Sequence, residues 1–353
     1  MAGRAVRVGL PLVAGCAAVA GGCLSRPVAP ELSGDLTDPR AVSVGVRTLE
    51  APFETAAIRS LTFFAPVITT GSAAAALRAG AGQRTCAGSG VAPLPALPFP
   101  AAGAAAPFPD SLLRRVFVWD TGAVAYSASR DTSGPPDGVR FTLYALDNLG
   151  GIALPLAADG WLDLRDQPGG RTDTLQVHIQ DGATANADYR VTPAGTRGVY
   201  TARLDGTVTN GLPAVAFGDS TTASGFQSAS IVTLDDARGG THLSMVVMRV
   251  RFDPFDYNDT LDMTFTQGRQ TVRLTGTVVT YCLLPSVGVR VSVNGVDFAT
   301  ITNGPSRPTV TRLDGRVPSA DQSQALLDLL DAHQSVMQWL AALFEPVRLL
   351  LLP

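Results

Sequence analysis

The chain has no lysine; all 27 of its basic residues are arginine. Glutamate appears only as Glu31, Glu50, Glu54 and Glu345, so nearly all of the negative charge is aspartate. The formal net charge is -3, and there is no basic run or basic-aromatic stripe. Nucleic-acid binding therefore has no electrostatic footing. Histidine is scarce, with His178, His242 and His333 the only three. No two of them stand at metal-ligand spacing and no Cys/His cluster exists, which excludes the common zinc sites. A Gly-x-Ser-x-Gly elbow, a His-Glu-x-x-His helix and a phosphate loop are all missing, so no catalytic residue and no cofactor is expected. No apolar run reaches the roughly 20 residues of a spanning helix.

What is present is concentrated at the start. Arg4 and Arg7 are followed by an apolar stretch, Val8 to Ala20, then small residues, then Cys23. Positive start, apolar centre and small-residue end make the layout of a secretory signal. A cysteine where cleavage falls resembles the signal of bacterial lipoproteins. The resemblance covers residues 1–23 only. It implies that the thiol takes a lipid and becomes the new N-terminus, held at the cell envelope, with the outer membrane the expected destination. The membrane is then one partner, through the anchor; an envelope protein or an apolar ligand is the other.

Two cysteines compete for the lipid. Val13-Ala14-Gly15-Cys16 fits the aliphatic-small-small-Cys pattern slightly better than Ala20-Gly21-Gly22-Cys23. Length argues for Cys23, because Cys16 would leave an apolar core at the short limit and broken by Pro11. Parity argues the same way. Lipid on Cys23 leaves Cys86 and Cys282 to pair, whereas lipid on Cys16 leaves an odd thiol in an oxidising compartment. A Cys86–Cys282 bond would close a long loop and stabilise by up to about 5 kcal/mol on the entropic account.

Composition divides the rest. Residues 1–22 read as signal and 23–40 as a tether. Residues 41–113 are mixed, with short helices expected at Glu54–Phe64 and Ser72–Ala79. Val91–Pro109 within them is Pro/Ala-rich and favours extended backbone. From 114 to 302 the chain is β. Leu175–Gln180, Leu261–Thr266 and Val287–Val293 alternate apolar and polar, the mark of antiparallel strands with one face buried. Asn294-Gly295 is a type I′ hairpin turn. Thr196–Val208 and Thr266–Val278 align without a gap at eight of thirteen positions. Asp188-Tyr189 echoes Asp256-Tyr257 upstream of them. The expected fold is mainly β: an antiparallel meander sheet or sandwich with an internal duplication, plus a C-terminal amphipathic helix. That helix, within a linker-and-helix segment 303–353, opens with a capping box at Ser319 and Gln322. Its apolar stripe runs Leu326, Leu330, His333, Met337, Leu340, Phe344, and Pro346 is expected to end or kink it.

Three features invite chemistry. Asp120-Thr121-Gly122-Ala123 resembles the signature of retropepsin-like aspartic proteases, which implies a hydrolytic aspartate; the likeness spans about six residues, and Asp-x-Gly is also a plain hairpin turn. Asp253, Asp256 and Asp259 gather hard oxygen ligands and form the one calcium candidate, without the usual calcium-loop pattern. His333 on an apolar stripe reads as a satisfied core imidazole. Together these support an exported, lipid-anchored protein with a non-catalytic binding or structural role. The alternatives are a carrier holding lipid in a curved sheet under the C-terminal helix and, more remotely, an aspartic-type hydrolase.

Overall fold

A computed structural model describes residues 34–61, 108 and 110–351, except 124, 148–150, 168–173, 183, 197–198, 212–213, 225, 239, 252–256, 282–283 and 305–306. Cys16, Cys23, Cys86 and Cys282 all lie outside the described residues, as do the helix expected at Ser72–Ala79 and most of the Pro/Ala-rich segment. The body is mainly β. Fifteen strands form a single sheet in the order β15 down to β3, then β1 and β2. It is one sheet rather than a sandwich, and almost a pure meander. The exception to antiparallel pairing is β1 (Val116–Asp120), which lies parallel to β3 (Gly138–Tyr144) through Val116–Arg140 and Phe117–Phe141.

Alternation sets the two faces. Leu243, Met245 and Val247 of β10 (Thr241–Arg251), Leu261, Met263 and Phe265 of β11 (Tyr257–Gln267) and Leu274 of β12 (Gln270–Tyr281) are buried. Their neighbours Asp262, Thr264, Arg273 and Thr275 point the other way, into water. The Asn294-Gly295 turn joins β13 (Leu284–Val293) to β14 (Val296–Thr302) with φ of 51° and 83°, the positive pair that a type I′ turn requires.

Helices cover the apolar face. Helix α1 (Pro39–Glu50) starts on an Asp38 cap, whose carboxylate accepts from Ala41 N at 3.0 Å, and buries Val42, Val46 and Leu49. A 3₁₀ turn (Ala51–Glu54) and α2 (Ala56–Ser60) continue it. Helix α3 (Ala320–Leu351) is capped as expected: Gln322 N donates to Ser319 Oγ, and Ser319 N to Gln322 Oε1, both at 3.1 Å. Both helical runs lie across the strands. Gln322 of α3 reaches Asp35, which Arg312 of β15 (Thr309–Arg312) also holds; His333 reaches Asp259 of β11; the Leu343 carbonyl meets Tyr189 of β6 (Thr184–Thr196). Gly45 of α1 sits on Phe265 of β11, where a methyl group would come within 2.9 Å of the ring, Phe53 packs on Phe217 of β8 (Val215–Ser224), and Ser60 donates to the Tyr144 carbonyl of β3.

Helix α3 runs about 48 Å over its 32 residues and reaches from β15 to β6, so it crosses most of the sheet's apolar face. The edge strands β2 (Ala125–Ala128) and β15 are four residues each, too short to recruit another strand readily.

The structure departs from the sequence expectations in several places. Leu36 is buried and α1 begins at Pro39, so the folded body takes over the end of the stretch read as tether. Within the helix expected at Glu54–Phe64, a 3₁₀ turn ends at Glu54 and α2 starts from a Thr55 cap, while 62–64 lie outside the described residues. The segment 303–319, read as linker, contains β15. The aligned segments occupy hairpins β6–β7 (β7, Val199–Val208) and β11–β12, but Tyr189 pairs with Gly206 whereas Leu261, not Tyr257, pairs with Gly276. The Asp-Tyr echo is therefore out of register. Helix α3 runs on past Pro346. Tyr189, fully buried, donates from its hydroxyl to the Leu343 carbonyl at 2.6 Å, in the turn where proline weakens the helix's own hydrogen bonding. Replacing Tyr189 by Phe should cost about 1 kcal/mol in urea unfolding, because a buried hydrogen bond between sheet and helix is lost; an unchanged midpoint would mean the bond contributes nothing.

Candidate functional site

The strongest assembly of titratable side chains lies on the buried face, where β10, β11 and α3 meet. Arg249 and Asp259 are direct cross-strand partners on the inward side. The guanidinium donates twice to the carboxylate, Nε to Oδ1 and Nη2 to Oδ2, both at 2.7 Å. It also stacks over Tyr257, 4.2 Å from the ring centre. His333 comes down from α3, with Nε2 3.1 Å from Asp259 Oδ2. Asp259 and His333 are both 0% exposed.

Alternation explains how a charged residue comes to be inside. Leu261, Met263 and Phe265 point inward, so Asp259 must as well. Stripe spacing does the same for His333, one turn beyond Leu329 and Leu330. Burial alone would push the Asp259 carboxyl up. Hydrogen bonds from Arg249 and His333, with the charge of Arg249, more than offset that and leave it below the ordinary carboxylate range.

A second polar group lies on the same face. Asp219 of β8 is 6% exposed, and its carboxylate accepts from Thr221 Oγ1 at 3.0 Å. Thr221 in turn lies 2.7 Å from Ser230 of β9 (Gln227–Asp236). Burial raises the Asp219 carboxyl to about 6, and the Thr221 hydrogen bond only partly opposes this. Glu50, near the end of α1, is raised to about 7, first by burial and then by Glu54, Asp328 and Asp331 on the facing helical surfaces.

The sequence-nominated residues scatter. Asp120 sits in the β1–β2 turn, where its Oδ1 accepts from Gly122 N at 2.8 Å and Ala123 N at 3.1 Å. It is exposed and caps its own turn, the role of an Asx hairpin. Of the calcium candidates, Asp253 and Asp256 lie outside the described residues, and Asp259 turns inward to Arg249 and His333 with both oxygens engaged. Among the described residues no group of three His, Cys, Asp or Glu side chains is placed to hold a metal. His178 lies on the outward face near Asp188 and 3.3 Å from Gln180 Oε1. His242 pairs with Asp235 at 2.6 Å. Sequence reasoning placed His333 in the core but missed Arg249 as the partner of Asp259. The signal lay in the spacing: Arg249 and Asp259 hold corresponding inward positions on two alternating strands joined by one loop.

An aspartate-histidine pair can activate a nucleophile only if the other ring nitrogen faces one. Here His333 Nδ1 is buried, with no hydrogen-bond partner in the structure. The cluster instead ties α3 to the centre of the sheet. No family model, curated protein or solved structure matches this chain.

Two measurements check this account. Asp259→Ala removes one member of a buried pair and should cost about 3–5 kcal/mol in denaturant unfolding; a loss below about 1 kcal/mol would deny the clamp. Asp219 is held neutral more easily folded than unfolded, since its folded pKa of about 6 exceeds the usual 3.8. Its unfavourable contribution therefore appears as pH rises from about 4 to 6 and stays above that. Asp219→Asn should thus stabilise by up to about 3 kcal/mol at pH 8 and change little at pH 4; equal effects at both pH values would contradict the assignment.

Proposed function

We propose that this chain is an exported, lipid-anchored protein of the bacterial cell envelope whose body binds or scaffolds and does not catalyse. The observation that carries the reading is the run from Met1 to Cys23, with its arginines, apolar core and terminal small residues before the cysteine. The character of the body is in keeping with it. The outward face of the sheet presents Asp262, Arg273, Arg290 and their hydroxyl-bearing neighbours to water, unlike the apolar outer band of a lipid-embedded barrel. Among the described residues no helix is long and apolar enough to cross a membrane. In this reading the lipid on Cys23 holds the protein to the membrane, Cys86 pairs with Cys282, and the partner is an envelope protein.

The carrier reading asks the concave face for a ligand, and α1, α2 and α3 already occupy that face. Opening it would break the Asp259–His333 and Tyr189–Leu343 bonds together. The hydrolase reading asks Asp120 for catalysis, and its carboxylate is engaged in its own turn. Both alternatives therefore rank below a binding or structural role.

Radiolabelled palmitate incorporation tests the anchor in wild type, Cys16→Ala and Cys23→Ala. Label should vanish from Cys23→Ala alone. Loss in Cys16→Ala alone would move the anchor, and retention in both variants would remove the lipoprotein reading.

A further inference from the structure

The way the chain enters its folded body gives the body an orientation. Gly34 lies on the tip of the β13–β14 hairpin, so close to Val296 that a β-carbon there would stand 2.7 Å from the valine Cβ. The next residue is gripped from two sides. Asp35 Oδ1 accepts from Arg312 Nη1 at 2.9 Å, and its carbonyl accepts from Gln270 Nε2 at 3.2 Å. All of these contacts lie at one end of the strands, with the β11–β12 turn and the β15–α3 connection.

That end carries exposed apolar side chains. Val296 is 51% exposed, Leu313 50% and Val317 91%. Arg269, beside Gln270, and Arg316, beside Val317, are exposed among them. The charges there are nearly balanced: Arg312 holds Asp35 and Asp314, Arg316 lies 3.8 Å from Asp314, Arg40 holds Asp321 at 2.9 Å and Asp297 faces Arg290. What remains outward is apolar with Arg269 beside it, a composition that suits the interfacial zone of a phospholipid surface.

We propose that the end of the body formed by Val296, Leu313, Val317, Arg269 and Arg316 rests on the phospholipid surface in which the Cys23 lipid is embedded. This rests on the lipid-anchor reading. From Cys23 to Gly34 the extended chain spans at most about 39 Å. The rival apolar group, Phe226, Ile231, Val246 and Met248, lies along the outward face of β9 and β10 and reaches the opposite end at Phe226. Strands of eleven residues separate the two ends by about 36 Å. Contact through Phe226 would need the tether drawn to its full length along the body. Contact through Val317 leaves it slack.

The test uses the full chain, bound to vesicles of phosphatidylethanolamine and phosphatidylglycerol that carry a diazirine lipid. After illumination, adducts located by mass spectrometry should fall on the segments around Val296 and Leu313–Val317, about tenfold above those around Phe226 and Met248. Combined Leu313→Asp and Val317→Asp changes, both on exposed positions, should cut these adducts several-fold, while Phe226→Asp leaves them unchanged. Adducts concentrated on Phe226 and Met248, or spread evenly, would overturn the orientation while leaving the anchor intact. Failure of the wild-type chain to attach to vesicles, together with no palmitate incorporation, would remove the anchor and this orientation with it.

Discussion

A sheet of fifteen strands with one apolar face must cover that face, and here nearly everything follows from how it does so. The C-terminal helix lies across the strands, and the N-terminal helical run lies beside it, crossing in the same direction. Between them they cover inward side chains from β15 to β3. Phe53, stacked between the two halves of this filling, touches both Phe217 of the sheet and Trp339 of α3, the latter at 4.9 Å and nearly parallel. A meander makes this possible. From β3 to β15 each strand pairs with its sequence neighbour, so the apolar face adds up from local hairpins and needs no long crossover.

Apolar burial is non-directional and would let a helix slide or rotate on such a surface. The polar contacts remove that freedom. Asp259 can satisfy its charge only with Arg249 beside it and His333 above it, and Tyr189 can satisfy its hydroxyl only at the Leu343 turn. Between them these contacts fix α3 at two points ten residues apart. Buried charge seldom adds net stability over an apolar substitute. Its value here is in register, because only one placement of the helix leaves the carboxylate matched.

Much of this was legible in the sequence, for identifiable reasons. Period-two alternation in Leu261–Thr266 and Val287–Val293 reports burial on one face directly, and those strands appear as read. Asn294-Gly295 and the Ser319–Gln322 box are local signals whose geometry needs no tertiary help, and both formed. What was not legible depends on distant partners. Nothing in Val116–Asp120 reveals a parallel neighbour in β3. The stretch before Pro39 looks like a linker until Leu36 finds its place in the core. Pro346 reads as an end or a kink, and only tertiary packing makes the continuation of the helix past it tolerable. Of the calcium candidates only Asp259 lies among the described residues, and it obeys the alternation of its strand by turning inward.

The central claim is that α3 and the meander form one cooperative unit, with the helix as the sheet's filling and not its lid. Native-state hydrogen exchange of the full chain across a denaturant series tests this most directly. The account predicts that slow amides in the middle of α3, around His333, and those in β8 to β12 merge to the same opening free energy. Exchange of the α3 amides at a much lower free energy, while the sheet stays protected, would show a helix that opens by itself and would contradict the account.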